Sequence, residues 1–231
     1  MTNAPSFASR RRFLQWSAGA APALVARSTV AAPSTREAES EYRPTFFNAD
    51  EWAFLSAAVA RLIPADGLGP GALEAGVPQY IDRQMTTPWA EGRLWYMQGP
   101  FEPNAPPTLG WQMSLTPRDV YRLGIAAADS WTRTQHRKSF VELDAGAQDS
   151  ALQAFESGKA HFDKVPAHTF FVVLLGNTRE GFFSDPVHGG NRGLVGWKLI
   201  GFPGARADFM DWVERDVTYP LRPVALNGER G

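Results

Sequence analysis

Trp52, Leu55, Val59, Leu62 and Ile63 recur at the three- and four-residue spacing of one helix face, and Pro64 ends the run. Its start is equally legible. Asn48 can cap, Glu51 stands three residues on, and Phe47 and Trp52 occupy the positions of a hydrophobic staple. After the turn-rich PADGLGPG, a second helix is predicted from Val77-Pro78, because proline suits a first turn. Tyr80, Ile81 and Met85 fall on or near one of its faces. Helical fragments are predicted around Trp89 to Met97. Residues 99–110, GPFEPNAPPTLG, carry too many prolines for regular structure.

Thr116-Pro117-Arg118-Asp119 opens the longest predicted helix, with Val120, Leu123, Ala127 and Trp131 on a shared side. Further helices are expected over 147–157 and from Pro166. The latter, TFFVVLLGNT, is apolar on every side; periodicity alone admits a buried strand, while length and the proline start favour a buried helix. A short helix over 205–216 ends the domain. No internal repeat and no recurring strand-and-turn pattern is present. The fold class expected is all-α: a single helical domain over 46–226 with long irregular Gly/Pro-rich connections.

Composition narrows the chemistry. A hydrophobic share of 44% in 231 residues supplies a real core for one domain. The formal charge of -1 carries no basic stripe, so no nucleic-acid partner is expected. Cysteine is absent, which excludes disulfides, thiolate metal sites and covalent haem attachment in this chain. Any metal centre used in electron transfer would belong to another polypeptide.

Residues 1–31 read as a targeting segment. Arg10 and Arg11, then Phe13-Leu14 and a weak apolar run, have the form of a twin-arginine export signal, with Gln15 where lysine is common. The apolar run is far shorter than the ~20 residues that span a bilayer. Small residues at Thr29 and Ala31 allow cleavage after Ala31. Four arginines and no acids lie in this segment, so its removal would take the formal charge from -1 to -5. Residues 32–45 are polar, lack periodicity and read as a linker. Twin-arginine export moves folded cargo, and such cargo can carry a partner with it.

The stretch 182–204, FFSDPVHGGNRGLVGWKLIGFPG, is unlike the rest: six glycines, two prolines and four aromatics lie in one run. Its glycines fit neither the dinucleotide fingerprint nor a P-loop. Among His136, His161, His168 and His188 there is no HExxH pair; His188 with Asp185 falls short of the three protein ligands of a catalytic zinc site. No GxSxG elbow occurs. What remains is shape. Glycines permit tight turns, Asp185-Pro186 and Pro203-Gly204 form them, and Phe182, Phe183, Trp197 and Phe202 offer rigid contact area. Asp185 and Asn191 are expected to hold the backbone. The aromatics either face a protein partner, with Trp197 as the anchor, or cover the domain's own core; both can hold at once.

Three segments of 182–204 match a known family pattern: Phe182-Phe183; Asp185-Pro186-Val187-His188-Gly189-Gly190-Asn191; and Gly196-Trp197-Lys198-Leu199-Ile200-Gly201-Phe202-Pro203-Gly204. With Phe46-Phe47, residues 62–85 and Gln98-Gly99-Pro100-Phe101, they resemble the small subunit of membrane-bound gluconate 2-dehydrogenase, whose relatives serve fructose and sorbitol dehydrogenases. His188 stands where tyrosine is usual. The resemblance implies a non-catalytic subunit without a cofactor of its own. Its partners would be a large flavoprotein carrying FAD, a multihaem cytochrome c and the twin-arginine translocase. It further implies a periplasmic location at the outer face of the inner membrane, held through partner subunits. A free-standing exported hydrolase using His188 and Asp185, or a ligand-binding module, are the alternatives.

Overall fold

The structure is a computed structural model that describes residues 42–231, residue 104 excepted; the expected export signal, with Arg10, Arg11, Phe13 and Leu14, lies outside the described residues. Among the described residues six α-helices follow one another: α1 Ala49–Leu62, α2 Val77–Gln84, α3 Pro117–His136, α4 Ala145–Glu156, α5 Ala167–Phe183 and α6 Val195–Ile200. The described residues contain no strand, only isolated bridges, in keeping with the all-α expectation.

Local chemistry accounts for the helix starts. Asn48 and Glu51 form a reciprocal capping box at α1, as do Thr116 and Asp119 at α3, while Asp144 caps α4 through the Ala147 amide. The rings expected to staple α1 take separate partners. Phe47 meets Tyr121 edge-on at 5.5 Å, and Trp52 stacks on Tyr42 at 5.4 Å.

Two helical expectations are corrected. Residues 89–95 form turns and a bend and 96–97 are irregular; Gly92 takes a left-handed conformation (φ 73°) that a continuing helix does not accommodate. Trp89 and Trp95 of this segment join Trp111 in an edge-to-face chain. The expected helix over 205–216 is a 3-10 segment, Ala207–Trp212. On α3 the buried positions are Pro117, Val120, Tyr121, Gly124, Ile125, Ala128 and Thr132; Leu123, Ala127 and Trp131 flank them, half-buried.

Helix α5 is the centre of the domain and packs against α1, α2, α3 and α4. Phe170, Phe171, Leu174 and Phe182 are buried, whereas Val172 is half exposed, so this helix is not enclosed on every side. Close approach of α3 depends on Gly124: a Cβ there would lie 2.2 Å from the Phe170 ring. The buried Asn177 of α5 is paired, Tyr121 donating to its Oδ1 (3.0 Å) and its Nδ2 donating to Glu180 Oε2 (2.8 Å). Outside this core, Arg61 forks onto Asp149 with two 2.7 Å bonds and ties α1 to α4. Arg122 pairs with Glu51 and donates to the Phe46 carbonyl oxygen, 2.6 Å away.

Asp82, fully buried on α2, receives the segment that enters the domain. Its carboxylate accepts from the Tyr42 and Thr45 hydroxyls and from the amides of Thr45, Phe46 and Phe47, at 2.8–3.1 Å. Residues 42–45, the end of the stretch read as linker, are therefore fastened to α2. Burial opposes the charge on Asp82, but these donors overcome it and hold its carboxyl below the usual range.

Candidate partner-binding site

Residues 182–204 begin inside α5, whose last turn carries Phe182 inward (2% exposed) and Phe183 partly outward (37%). Asp185 then caps the single turn Pro186–His188. One of its carboxylate oxygens accepts from the Val187 amide (3.0 Å) and the other from the Leu226 amide (2.8 Å). Both oxygens thus bind backbone, while the His188 side chain is exposed. The residues do not form the metal or acid–base pair of the hydrolase alternative.

Asn191, fully buried, is the brace of the stretch. Its amide nitrogen donates to Ser184 O (2.9 Å) and its Oδ1 accepts from the Gly196 amide (2.8 Å), which joins the exit of α5 to the entry of α6. The holding roles read from the sequence for Asp185 and Asn191 are thus present. Two glycines are required by close approach. A Cβ at Gly190 would lie 2.1 Å from the Gly181 carbonyl oxygen, and one at Gly196 the same distance from that of Phe182. The loop backbone is laid directly on the end of α5. Leu194, buried and left-handed (φ 59°), is a strained position for a branched side chain.

Trp197 differs from the expectation of an interface anchor. It is 6% exposed, its Nε1 donates to Phe183 O (2.7 Å), and its ring meets Phe202 edge-on at 5.0 Å. With Leu194 and Ala225 it forms a second small core, separate from the main one. Gly204 closes that core, since a Cβ there would meet Val224 O at 2.3 Å and the Trp197 ring at 2.7 Å. Bonds from Val224 N to Pro203 O (3.2 Å) and Ala205 N to Val224 O (2.7 Å) fasten the chain's end to the stretch. The residues in 182–204 therefore divide. Phe182, Gly189, Gly190, Asn191, Trp197 and Pro203 are buried; Asp185, Pro186 and Gly204 are half-buried; Phe183, His188 and Phe202 are exposed. An inward-facing clasp holds the C-terminal segment, and its outer side carries the surface aromatics.

Sequence reasoning missed what lies beside this clasp. An open apolar groove of about 470 Å³ runs between the α1–α2 loop and α6, lined by Ile63, Pro64, Leu68, Pro70, Val195 and Leu199 among others. Leu68 (79%), Leu199 (48%) and Ile200 (59%) are largely exposed. The only signal was the glycine- and proline-rich 64–71, which marks a turn but not its companion helix.

Electrostatics add no reactive group. Burial, then its bond to Asp82, pushes the Tyr42 phenol up to about 12; burial, then nearby Glu180, does the same for Tyr80. Burial also pushes the Tyr121 phenol well above its ordinary value. With Asp82 lowered, each of these groups is driven deeper into its ordinary form at neutral pH, the opposite of tuning for proton transfer. Among the described residues no cluster of three or more His, Asp or Glu could hold a metal ion, and no helix is long and apolar enough to cross a membrane.

Comparison with known proteins bears on the same region. The family model described as gluconate 2-dehydrogenase subunit 3 matches residues 49–204, from the first residue of α1 to the glycine that closes the Trp197 core. No curated protein and no solved structure shows a match. A match over about two thirds of the sequence decides the matter: the chain belongs to the gluconate 2-dehydrogenase subunit 3 family.

Proposed function

We propose that this chain is the non-catalytic small subunit of an FAD-dependent sugar-acid dehydrogenase complex, most closely of the gluconate-oxidising kind. It assembles with the flavoprotein subunit and carries it through the twin-arginine route. In the periplasm the complex sits at the outer face of the inner membrane, held there by a multihaem cytochrome c subunit. FAD and haem belong to those partners. The observation that carries the reading is membership of the family, which implies a multi-subunit dehydrogenase.

Three features support it. The conspicuous 182–204 stretch is used for internal structure, with Asp185 and Asn191 bound to backbone rather than aimed at a substrate. The proton affinities of Tyr42, Tyr80 and Asp82 are moved away from neutrality by their surroundings. Exposed apolar side chains, among them Phe202, Ile200 and Leu199, border the clasp.

The test is to purify the chain alone and co-expressed with the flavoprotein subunit. The isolated chain is expected to carry no flavin absorbance and to oxidise no sugar acid with an artificial acceptor. The co-expressed pair should elute together with activity. Turnover by the isolated chain would overturn the non-catalytic role.

A further inference from the structure

Past Gly204 the chain leaves the domain as an arm. None of residues 205–222 is buried, yet the arm is built and not merely extended. Its base is closed by the pairing of Gly204 and Ala205 with Val224, and by the Leu226 amide on Asp185. Arg206 braces it from within. Its Nε and Nη2 reach the Asp208 carboxylate (3.1 and 3.0 Å), Nε also donates to the Tyr219 hydroxyl (2.6 Å), and Nη1 to Arg222 O (3.3 Å).

The 3-10 segment Ala207–Trp212 sorts the arm's side chains, because residues three apart eclipse one another in that geometry. Phe209 and Trp212 share one side and both meet Tyr219 edge-on, at 5.2 and 5.6 Å. Met210 and Val213 share another side and point to solvent, 76% and 60% exposed. Val217 (61%) and Leu221 (47%) add to the exposed apolar surface. Between 205 and 222 stand four acids and three arginines; Arg206 is committed to Asp208, and Arg222 donates to Gly231 O (3.4 Å) at the arm's base. Asp208 is held by Arg206 and Arg215 lies over the Trp212 ring at 4.8 Å. Asp211, Glu214 and Asp216 have no ion-pair partner among the described residues.

This charge selects the occupant. An isologous pairing of two arms would set like acids against one another. An anionic lipid surface would repel them as well, since membranes attract basic segments. A groove with an apolar floor and a rim of lysine or arginine satisfies both parts of the arm.

We propose that residues 205–222 are a preorganised docking arm that seats Met210 and Val213 in a basic-rimmed apolar groove of the flavoprotein subunit. This rests on the proposed function above. Because the arm is already shaped by Arg206 and Tyr219, little ordering cost accompanies docking.

The test measures binding of the co-expressed, then separated, FAD-carrying subunit to the full mature chain at low and high salt. Met210→Ser with Val213→Ser should leave the melting temperature unchanged and weaken binding by at least about tenfold. Asp211→Lys with Glu214→Lys should slow association and flatten its salt dependence. Wild-type binding by both variants would overturn the arm while leaving the subunit reading intact. Failure of the wild-type chain to bind the flavoprotein would overturn both. A wild-type homodimer in sedimentation, or binding to phosphatidylglycerol vesicles, that Met210→Ser with Val213→Ser abolishes would also overturn it, by assigning the arm to a second copy or to lipid.

Discussion

The indole Nε1 of Trp197 donates to the main-chain oxygen of Phe183, 2.7 Å away, so α6 is pinned to the last turn of the central helix. The bond crosses from a side chain on one helix to a carbonyl that the end of another leaves unsatisfied. It also fixes where the C-terminal segment lands, because Leu194, Trp197 and Ala225 bury one another.

Trp197→Ala should therefore destabilise the domain by about 3 kcal/mol or more, the usual cost of emptying a buried aromatic site. Trp197→Phe should fall between, retaining ring packing while leaving the Phe183 oxygen without its donor. Chemical denaturation of the three proteins checks the order. Any loss of partner binding should follow the loss of folded protein; a fully folded, non-binding Trp197→Ala chain would contradict the burial.

Gly190→Val tests the contact between loop and helix. The added Cβ would sit 2.1 Å from Gly181 O, a main-chain atom that cannot swing aside. Either the loop lifts from α5 or α5 shortens, and the Asn191 bonds to Ser184 O and Gly196 N break with it. We expect a loss of about 1–3 kcal/mol or more, as overpacking of a rigid site gives. Gly193→Ala, where an added Cβ has nothing within 4 Å, meets backbone strain (φ 61°) without a clash and should cost less.

Asp82 predicts an acid dependence. Its carboxyl is held lower in the folded chain than in the unfolded one, so its contribution is present above the unfolded value of about 3.9 and is lost as pH falls through the folded value. Asp82→Asn should remove that acid-side slope and cost on the order of 3 kcal/mol at neutral pH, since it returns one amide donor to a ring of donors. Urea unfolding of both proteins from pH 3 to pH 7 measures the difference. Parallel curves would show that Asp82 does not supply it.

The elements legible in the sequence were those written locally. Asn48 with Glu51, and Thr116 with Asp119, lie three residues apart and signal a helix start without reference to the rest of the chain. Asp185 and Asn191 were also readable, because most of their bonds reach only a few residues away. The side that Trp197 faces was not, since it depends on Val224 and Ala225, which no periodicity links to α6. Asp82 was silent for the same reason: its donors lie 35–40 residues upstream. The segment from Trp89 to Met97 is rich in bulky apolar residues, as a helix would be, while Gly92 (φ 73°) sets the backbone otherwise.

Export provides the last prediction. Arg10→Lys with Arg11→Lys preserves the charge of the N-terminal segment but removes the paired guanidinium groups on which the twin-arginine reading rests. A general basic leader would tolerate the change, because lysine supplies the same positive charge. Twin-arginine recognition would not, since the planar, multiply donating guanidinium has no equivalent in an ammonium. We expect the variant to remain in the cytoplasm as folded, unprocessed protein, with the flavoprotein subunit retained beside it. Fractionation followed by immunoblotting for both chains reads the outcome. Mature protein in the periplasm at the wild-type level would remove the twin-arginine assignment. Retention of this chain alone, with the flavoprotein still exported, would separate the signal from the carriage of a partner.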